Sequence, residues 1–304
     1  MGDAVRPAVG VAEREGAEKV MELSLTEQLM FSTVRIEVTF TDDRIGTGTG
    51  FFFNLLDDGS ERVPVIVTNR HVVTGTVTGR FQLTIALEDG TPDVGNVEVV
   101  ELDQFEQRWL AHPDPDVDLC VMPLSPIITE AQKRAVNFFQ RSMGASLIPS
   151  DEKLLELMPA EEILMVGYPI GIWDSVNNLP VFRQGIAATH PGYRYDGRDE
   201  FLIDAACYPG SSGSPVLIVN QSSYRTREGI TFGSRALFLG VLFGGFEHTL
   251  EGEITVVEIP TQNVPIAKSL IPINLGRVIR ASKILDFEAA IKAARENREG
   301  SKPQ

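Results

Sequence analysis

Short runs of β-branched, aromatic and aliphatic residues, separated by Gly, Asp and Pro, dominate the chain from residue 34 to residue 125. The pattern returns from residue 162 onwards in EILMVGYP, FRQGIAATH, EFLIDAACYPG, SPVLIVN and ALFLGVLFGG. Short apolar runs at this spacing are typical of antiparallel barrels and sandwiches. The hydrophobic pattern therefore predicts two β-rich halves.

Helical patterns lie around and between these halves. Ser24 stands three residues before a glutamate, which is the pattern of a capping box. TEAQKRAVNFFQ and SDEKLLELMPAEE predict a helical connector, with caps at Thr129 and Ser150. NVPIAKSLI, residues 263–271, predicts a closing helix, and the segment from Ser282 predicts an amphipathic helix.

Charge and cysteine content narrow the classes of function. The 304 residues carry a formal net charge of −15, so neither nucleic acid nor a membrane is expected as a partner. The first residues show no apolar signal-peptide core, and no run approaches 18 apolar residues. Cys120 and Cys207 are the only cysteines, and we interpret them as free thiols in a reducing compartment. These features predict a cytoplasmic protein.

The segment YPGSSGSPV, residues 208–216, places three serines between glycines and prolines. A serine becomes a nucleophile when a neighbouring base removes its proton, and the base needs a carboxylate that fixes its tautomer. The candidate base is His71 in VIVTNRHVV, where the end of an apolar strand can deliver the imidazole to a cleft. His112 and His190 precede prolines, and we interpret both as solvated turn residues.

The candidate carboxylates lie in DPDVDLCVMPL, which contains Asp114, Asp116 and Asp118. Asp118 is followed directly by an alternating apolar run and therefore lies at the mouth of a strand. This position favours Asp118, with Asp116 as the second candidate. The structural alternative is an aspartate that only caps a turn.

TNRHVV, DLCVMPL and DAACYPGSSGSPV resemble the three catalytic segments of the trypsin-like serine proteases, in the chymotrypsin-fold order His, Asp, Ser. GTGTGFFF and VGYPIG add a resemblance to the bacterial HtrA-like and glutamyl-endopeptidase-like branches, so that the similarity covers residues 32–272. An α/β-hydrolase is excluded because its acid follows its nucleophile, whereas no Asp lies between Ser212 and His248.

The resemblance implies an all-β, chymotrypsin-like fold. It consists of two six-stranded antiparallel β-barrels with a helical inter-barrel connector and N- and C-terminal helices. The expected parts are an N-terminal leader and helix (1–31), a first β-barrel (32–125), a helical connector (126–162), a second β-barrel with its closing helix (163–272) and a C-terminal helical tail (273–304).

The resemblance also implies the role of each site residue. Ser212 matches the nucleophile, His71 the general base and then acid, and Asp118 the residue that orients it. The backbone N–H groups of Gly210 and Ser212 match the oxyanion hole, where a glycine leaves room for the substrate carbonyl. Ser211 stands where cleavage-activated relatives have an Asp, so activation by a new N-terminus is not expected. HtrA proteases continue into a PDZ domain, for which the residues after 272 are too few.

The residues implied to line the substrate cleft are Ala206, Cys207, Leu242, Phe243, Gly244, Gly245 and Val256. Ala206 lies at the floor of the S1 pocket, where a demand for Lys or Arg needs an Asp. Leu242 lies on the wall, where glutamyl endopeptidases have His, so a preference for Glu is disfavoured too. Cys207 on that wall is interpreted as an inert buried thiol. Residues 243–245 form a strand edge along the substrate, and Val256 lies at the pocket mouth. These residues predict a shallow apolar pocket for a small or medium aliphatic side chain.

The sequence therefore predicts a serine endopeptidase that cleaves a protein or peptide substrate through an acyl-enzyme, with no metal and no cofactor. The large connector and the loop NQSSYRTREGITFGSR predict tight regulation, with a regulatory protein partner, in a bacterial stress or defence pathway. Two alternatives stay open. One is a catalytically silent module that holds a peptide in the cleft, and the other is an enzyme that is dormant until a partner orders its oxyanion hole.

Overall fold

The structure is a computed structural model that describes residues 23–57, 62–253 and 266–300. The strands of the first half are β1 (Thr33–Phe40), β2 (Ile45–Leu55), β3 (Val63–Thr68), β4 (Thr76–Ala86), β5 (Pro92–Asp103), β6 (Leu110–Ala111), β7 (Cys120–Pro123) and β8 (Met143–Gly144). Those of the second half are β9 (Glu162–Gly167), β10 (Val181–Ala187), β11 (Glu200–Asp204), β12 (Pro215–Asn220), β13 (Ser223–Thr226), β14 (Gly229–Phe232), β15 (Arg235–Glu253) and β16 (Ile266–Arg280). The prediction of a mainly β protein with two β-rich halves is confirmed.

The second half contains a closed barrel of six strands in the order β10-β11-β16-β15-β12-β9. Its pairs are antiparallel, and its interior is filled by side chains that include Phe201, Val216, Ile218, Leu239 and Val278. This barrel confirms the prediction for the second half. The hairpin of β13 and β14 forms a separate two-stranded sheet.

The first half differs from the expected closed barrel. Its strands form an eight-stranded sheet in the order β5-β4-β1-β2-β3-β7-β6, with β8 paired to β2. In the described part of the chain, strand pairing does not join β5 to β6. A short 3-10 helix, Phe105–Arg108, lies between these two strands, and its Phe105 ring packs where a Cβ on Gly79 would lie 2.5 Å away. Phe105 is fully buried and belongs to the apolar core of the first half.

The two halves pack against each other through an apolar cluster. Phe51 and Phe53 on β2 contact Phe238 on β15, with the Phe51 and Phe238 ring centroids 5.4 Å apart and nearly perpendicular. All three rings are fully buried. Each buried phenylalanine contributes about 1.5 to 3 kcal/mol to the free energy of unfolding. This cluster fixes β2 against the second half.

The α-helices in the described part of the chain are α1 (Leu25–Leu29), α2 (Arg70–Val73), α3 (Ser125–Gln132), α4 (Asp151–Leu155) and α5 (Asp286–Gly300), of which α2 lies within the first half. The predicted capping box at Ser24 is present at the start of α1, and Ser150 caps α4. The predicted cap at Thr129 is wrong, because Thr129 lies inside α3, which begins at Ser125 and has a proline in its first turn.

The closing helix predicted for residues 263–271 is also wrong over residues 266–271, which are the part of it that the structure describes. Residues 266–280 form β16, which pairs with β15 on one side and with β11 on the other and thereby completes the barrel. The predicted C-terminal amphipathic helix corresponds to α5, which follows a 3-10 helix at Ala281–Leu285. Residues 1–22 of the predicted leader lie outside the described residues.

Candidate active site

The imidazole of His71 lies directly against the carboxylate of Asp118. The buried strand β3 ends at Thr68, and α2 then turns His71 outwards, so that its side chain is 48% exposed. The distance from His71 Nδ1 to Asp118 Oδ2 is 2.5 Å, and the His71 backbone N–H donates to Asp118 Oδ1 at 3.0 Å. Both carboxylate oxygens are thus engaged by one histidine, which fixes the orientation of the ring relative to the carboxylate.

Neighbouring residues hold the two segments together. Asn69 donates from Nδ2 to the Asp118 carbonyl at 2.8 Å, and Arg70 donates to the Pro115 carbonyl at 2.9 Å. Asp116 instead donates its backbone N–H to the Asp114 carboxylate within the exposed turn. Of the candidate carboxylates, Asp118 is therefore the one that contacts His71.

The other two histidines that the sequence singled out have structural contacts. His112 is buried, accepts from the Asp114 N–H at Nδ1 and lies 2.9 Å from the Lys283 carbonyl through Nε2. The prediction that His112 is solvated is wrong, because the C-terminal segment covers it and Phe287 packs edge-on against its ring. His190 is half-buried and lies 3.0 Å from the Leu157 carbonyl through Nε2.

The loop that carries Ser212 is anchored through four consecutive carbonyl groups. The Pro209 carbonyl accepts from Ile170 N–H at 2.6 Å, and the Ser211 carbonyl accepts from Ser214 N–H at 3.0 Å. The carbonyls of Gly210 and Ser212 both accept from Thr49, at 3.0 Å from its hydroxyl and 2.9 Å from its backbone N–H. Gly210 and Gly213 have φ values of +85° and +88°, which favour glycine.

These anchors determine where the N–H groups of the loop point. In a trans peptide, the C=O of one residue and the N–H of the next point to opposite sides. Because the carbonyls of Pro209 and Ser211 are held by the N–H groups of Ile170 and Ser214, the N–H groups of Gly210 and Ser212 point away from those contacts. Among the described residues, neither N–H donates a hydrogen bond. The loop therefore presents two free donors on either side of Ser211.

Strand β2 brings the Ser212 loop and the His71 turn together. Thr49 binds the loop as described, and its carbonyl accepts from the Thr68 hydroxyl at 2.7 Å, three residues before His71. Gly48 leaves room for the same turn, because a Cβ at this position would lie 2.5 Å from Val72 Cγ1. This role of Thr49 was not predicted, because GTGTG carries no local sign of a contact with a loop 161 residues away.

The predicted pocket residues separate into a buried group and an edge. Cys207 and Leu242 are buried in the core of the second barrel and converge on Gly276, where a Cβ would lie 2.6 Å from Cys207 Sγ and 2.7 Å from Leu242 Cδ1. Gly276 was missed because nothing in its local sequence marks it. Half-buried Ala206 is held through its carbonyl, which accepts from Arg183 at 2.8 Å. Arg183 was likewise missed.

The predicted strand edge is free in the described part of the chain. Pairing of β12 with β15 ends at Pro215 and Val241, so residues 243–245 have no strand partner on that side. Gly244 has open space around it, since a Cβ would meet no atom within 4 Å. Phe243 lies beside the Arg277 guanidinium, 5.0 Å from ring centroid to carbon. Val256 lies outside the described residues.

Burial suppresses ionisation of the two thiols. It raises the pKa of Cys207 to about 11 and the pKa of Cys120 well above the usual range of a cysteine. Both cysteines are free. Thiolate chemistry at neutral pH is therefore disfavoured at both positions.

A comparison with family models decides the family. A model described as a trypsin-like peptidase domain matches residues 48–222, which is more than half of the chain. The chain belongs to the trypsin-like peptidases. The predicted resemblance to trypsin-like serine proteases is thereby confirmed, as is the prediction of a serine peptidase.

Solved structures similar to this trypsin-like peptidase include two proteases. One is the active form of Rv3671c from M. tuberculosis, at 16% identity and a TM-score of 0.42, with 84% of this chain and 78% of that chain covered. The other is the HtrA-type protease AlgW with a tripeptide, at 14% identity and a TM-score of 0.46, with 87% of this chain and 61% of that chain covered. No curated protein matches the sequence. Among the described residues, no helix has both the length and the apolar character to cross a membrane.

Proposed function

We propose that this trypsin-like peptidase is a serine endopeptidase with a triad of Ser212, His71 and Asp118. The observation that carries the proposal is the 2.5 Å contact between His71 Nδ1 and Asp118 Oδ2. A carboxylate there accepts the Nδ1 proton, which leaves Nε2 free to take the proton of the Ser212 hydroxyl. The further contact of Asp118 with the His71 backbone supports this role.

In the proposed reaction, Ser212 Oγ attacks the carbonyl carbon of the scissile peptide while His71 Nε2 takes its proton. The tetrahedral intermediate collapses when His71 returns that proton to the leaving amine, and the C–N bond breaks. A water molecule then attacks the acyl-enzyme, and His71 takes a proton from that water. The second tetrahedral intermediate collapses when the bond from its carbon to Ser212 Oγ breaks and His71 returns the proton to Oγ, which releases the acid product.

The oxyanion of both intermediates would be bound by the N–H groups of Gly210 and Ser212. Removal of one such donor in comparable enzymes lowers kcat by about 100- to 1000-fold. The anchored carbonyls of the loop and its two free N–H groups support a hole that is formed without a partner. This arrangement disfavours the alternative of an enzyme that is dormant until a partner orders the hole.

The proposed substrate is a protein or peptide that binds as an extended strand along residues 243–245. The free side of β15 supports this binding mode, because an added strand can pair with its backbone. We place Ala206, Cys207 and Leu242 around the S1 pocket, with Val256 at its mouth. The apolar surroundings of Cys207 and Leu242 support a preference for small or medium aliphatic residues.

We further propose that the enzyme acts inside the cell and under regulation, in a stress or defence pathway. The two free, buried thiols support a reducing compartment. The β13–β14 hairpin, which lies outside the barrel sheets, supports a regulatory partner.

The test is cleavage of a proteome-derived peptide library, with cleavage sites mapped by mass spectrometry. The wild type is expected to cleave after aliphatic residues, and Ser212→Ala is expected to lose all cleavage. Ser211→Ala is the matched control, because the buried Ser211 hydroxyl has no hydrogen-bond partner among the described residues. Predominant cleavage after Lys, Arg or Glu would overturn the pocket assignment, and cleavage by Ser212→Ala would overturn the triad. Peptide binding without cleavage would establish the silent module instead.

A further inference from the structure

The side chain of Thr49 takes no part in the proposed reaction, yet it contacts the loop that carries Ser212. Thr49 is fully buried on β2, in the half of the molecule that does not carry Ser212. Its hydroxyl donates to the Gly210 carbonyl at 3.0 Å and accepts from the Tyr168 N–H at 3.1 Å. One hydroxyl therefore joins two segments of the second half that lie 161 and 119 residues away along the chain.

We infer that Thr49 is a positioning residue for the oxyanion hole. The inference rests on the proposed function, because it names a residue that supports the oxyanion hole of the same site. With the Gly210 carbonyl held by Thr49, the Ser211 N–H points the opposite way and donates to the Tyr208 carbonyl at 3.0 Å. The orientation of the peptide between Gly210 and Ser211 is thus fixed from both sides.

The second bond of the hydroxyl fixes the neighbouring peptide. Thr49 accepts from the Tyr168 N–H, and the turn that Tyr168 begins directs the Ile170 N–H at the Pro209 carbonyl, 2.6 Å away. That carbonyl determines where the Gly210 N–H points. Thr49 therefore acts on the first oxyanion donor through Tyr168 and Ile170, without contacting substrate.

The backbone of Thr49 acts on the second donor. Its N–H binds the Ser212 carbonyl at 2.9 Å, which orients the residue that carries both the nucleophile and an oxyanion donor. Thr49 is also closely packed against the loop and against β9. A Cβ on Gly213 would lie 1.9 Å from the Thr49 carbonyl oxygen, and a Cβ on Gly167 would lie 2.8 Å from the Thr49 hydroxyl oxygen.

Substitutions at position 49 can separate the effect of the hydroxyl from the effect of the side-chain shape. Valine has the shape of threonine but can neither donate nor accept, so Thr49→Val leaves the Gly210 carbonyl and the Tyr168 N–H buried without a partner. Serine keeps the hydroxyl and loses only a methyl group. If the hydroxyl positions the loop, Thr49→Ser retains function and Thr49→Val does not.

The experiment measures the second-order rate of labelling by a fluorophosphonate, whose phosphoryl oxygen occupies the oxyanion hole, together with thermal unfolding. Thr49→Val is expected to be labelled about 10- to 100-fold more slowly than the wild type, and Thr49→Ser within about threefold of it. Thr33→Val is the matched control, because the buried Thr33 hydroxyl on β1 contacts the Tyr168 hydroxyl instead of the loop. It is expected to keep the wild-type labelling rate.

The outcomes separate the inference from the proposed function. A wild type that is not labelled at Ser212 contradicts the proposed function itself. Labelling of folded Thr49→Val at the wild-type rate, or a serine variant as slow as the valine variant, contradicts the inference alone. If Thr49→Val does not fold, Thr49→Ala carries the same prediction, and an equal loss in Thr33→Val would show that the effect is only structural.

Discussion

Replacement of Gly210 by alanine is expected to damage catalysis far more than stability. Gly210 has a φ of +85°, and an alanine Cβ would lie 2.7 Å from the Tyr168 carbonyl oxygen and 3.2 Å from Ile170 N. Both close atoms belong to backbone, so the loop has to move. Such a movement displaces the Gly210 N–H, which is the proposed first donor to the oxyanion.

Two terms set the expected size of the effect. The left-handed conformation alone costs an alanine about 1 to 2 kcal/mol. The displaced donor adds about 3 to 4 kcal/mol to the activation free energy, or a 100- to 1000-fold loss in kcat. The assay combines fluorophosphonate labelling and peptide turnover with the free energy of unfolding in urea.

Gly90→Ala provides a matched control. Gly90 has a φ of +80° in the turn between β4 and β5, and a Cβ there would meet no atom within 4 Å. Gly90→Ala is expected to lower the free energy of unfolding by about 1 to 2 kcal/mol and to leave turnover unchanged. Turnover of peptide by folded Gly210→Ala at the wild-type rate would contradict this prediction, and so would a loss of activity in Gly90→Ala as large as that in Gly210→Ala.

Three further changes test the triad, the burial of Cys207 and the contact between the two halves. Asp118→Asn removes the carboxylate that accepts from His71 Nδ1–H and is expected to lower kcat about 10⁴-fold with little change in stability. A decrease in kcat of less than tenfold across a pH–rate profile would contradict the triad. Burial raises the pKa of Cys207 to about 11, so its reactive thiolate forms only as the pH approaches that value. Iodoacetamide at pH 8 is therefore expected to label Cys207 in urea but not in the native protein, and native labelling at the rate of a free cysteine would contradict this burial. Phe238→Ala empties a fully buried site between the two halves and is expected to lower the free energy of unfolding by about 3 to 5 kcal/mol in urea titration, whereas a change below 1 kcal/mol would show that these rings do not hold the halves together.

Parts of the site were predictable because their signals are local. His71 follows closely on a buried strand, and Asp118 directly precedes a short apolar run, so a few neighbouring residues identify each of them as a candidate. The structure places their side chains in contact. The φ values of Gly210 and Gly213 agree with the expectation that this loop needs glycines.

Other parts depend on contacts between distant segments, which a single sequence does not encode locally. In the sequence, Thr49 is one of several small residues in GTGTG. Its role depends on the hydrogen bond from its hydroxyl to the Gly210 carbonyl, in a loop 161 residues further along the chain. Gly276 matters because Cys207 and Leu242 converge on it. His112 was taken for a solvated turn residue because its cover comes from the C-terminal segment, 171 residues away.

The errors in the fold have the same origin. The apolar residues between 266 and 280 fit a helix or a strand, and pairing with β11 and β15 decides for the strand. In the first half, the pattern of short strands was predicted, but the closure of the sheet was not determined by it. Phe105, which follows β5 along the chain, packs against Gly79 on β4, and this is a tertiary contact that the strand pattern does not contain.

The most direct measurement of the central claim is the site of fluorophosphonate attachment, mapped by peptide mass spectrometry on the full chain. We expect a single adduct on Ser212, which is lost in Ser212→Ala, lost or strongly slowed in His71→Ala, and kept in Ser211→Ala. An adduct on Ser211 or Ser214, or no adduct on a folded wild type, would contradict the claim that Ser212 is the nucleophile of this trypsin-like peptidase.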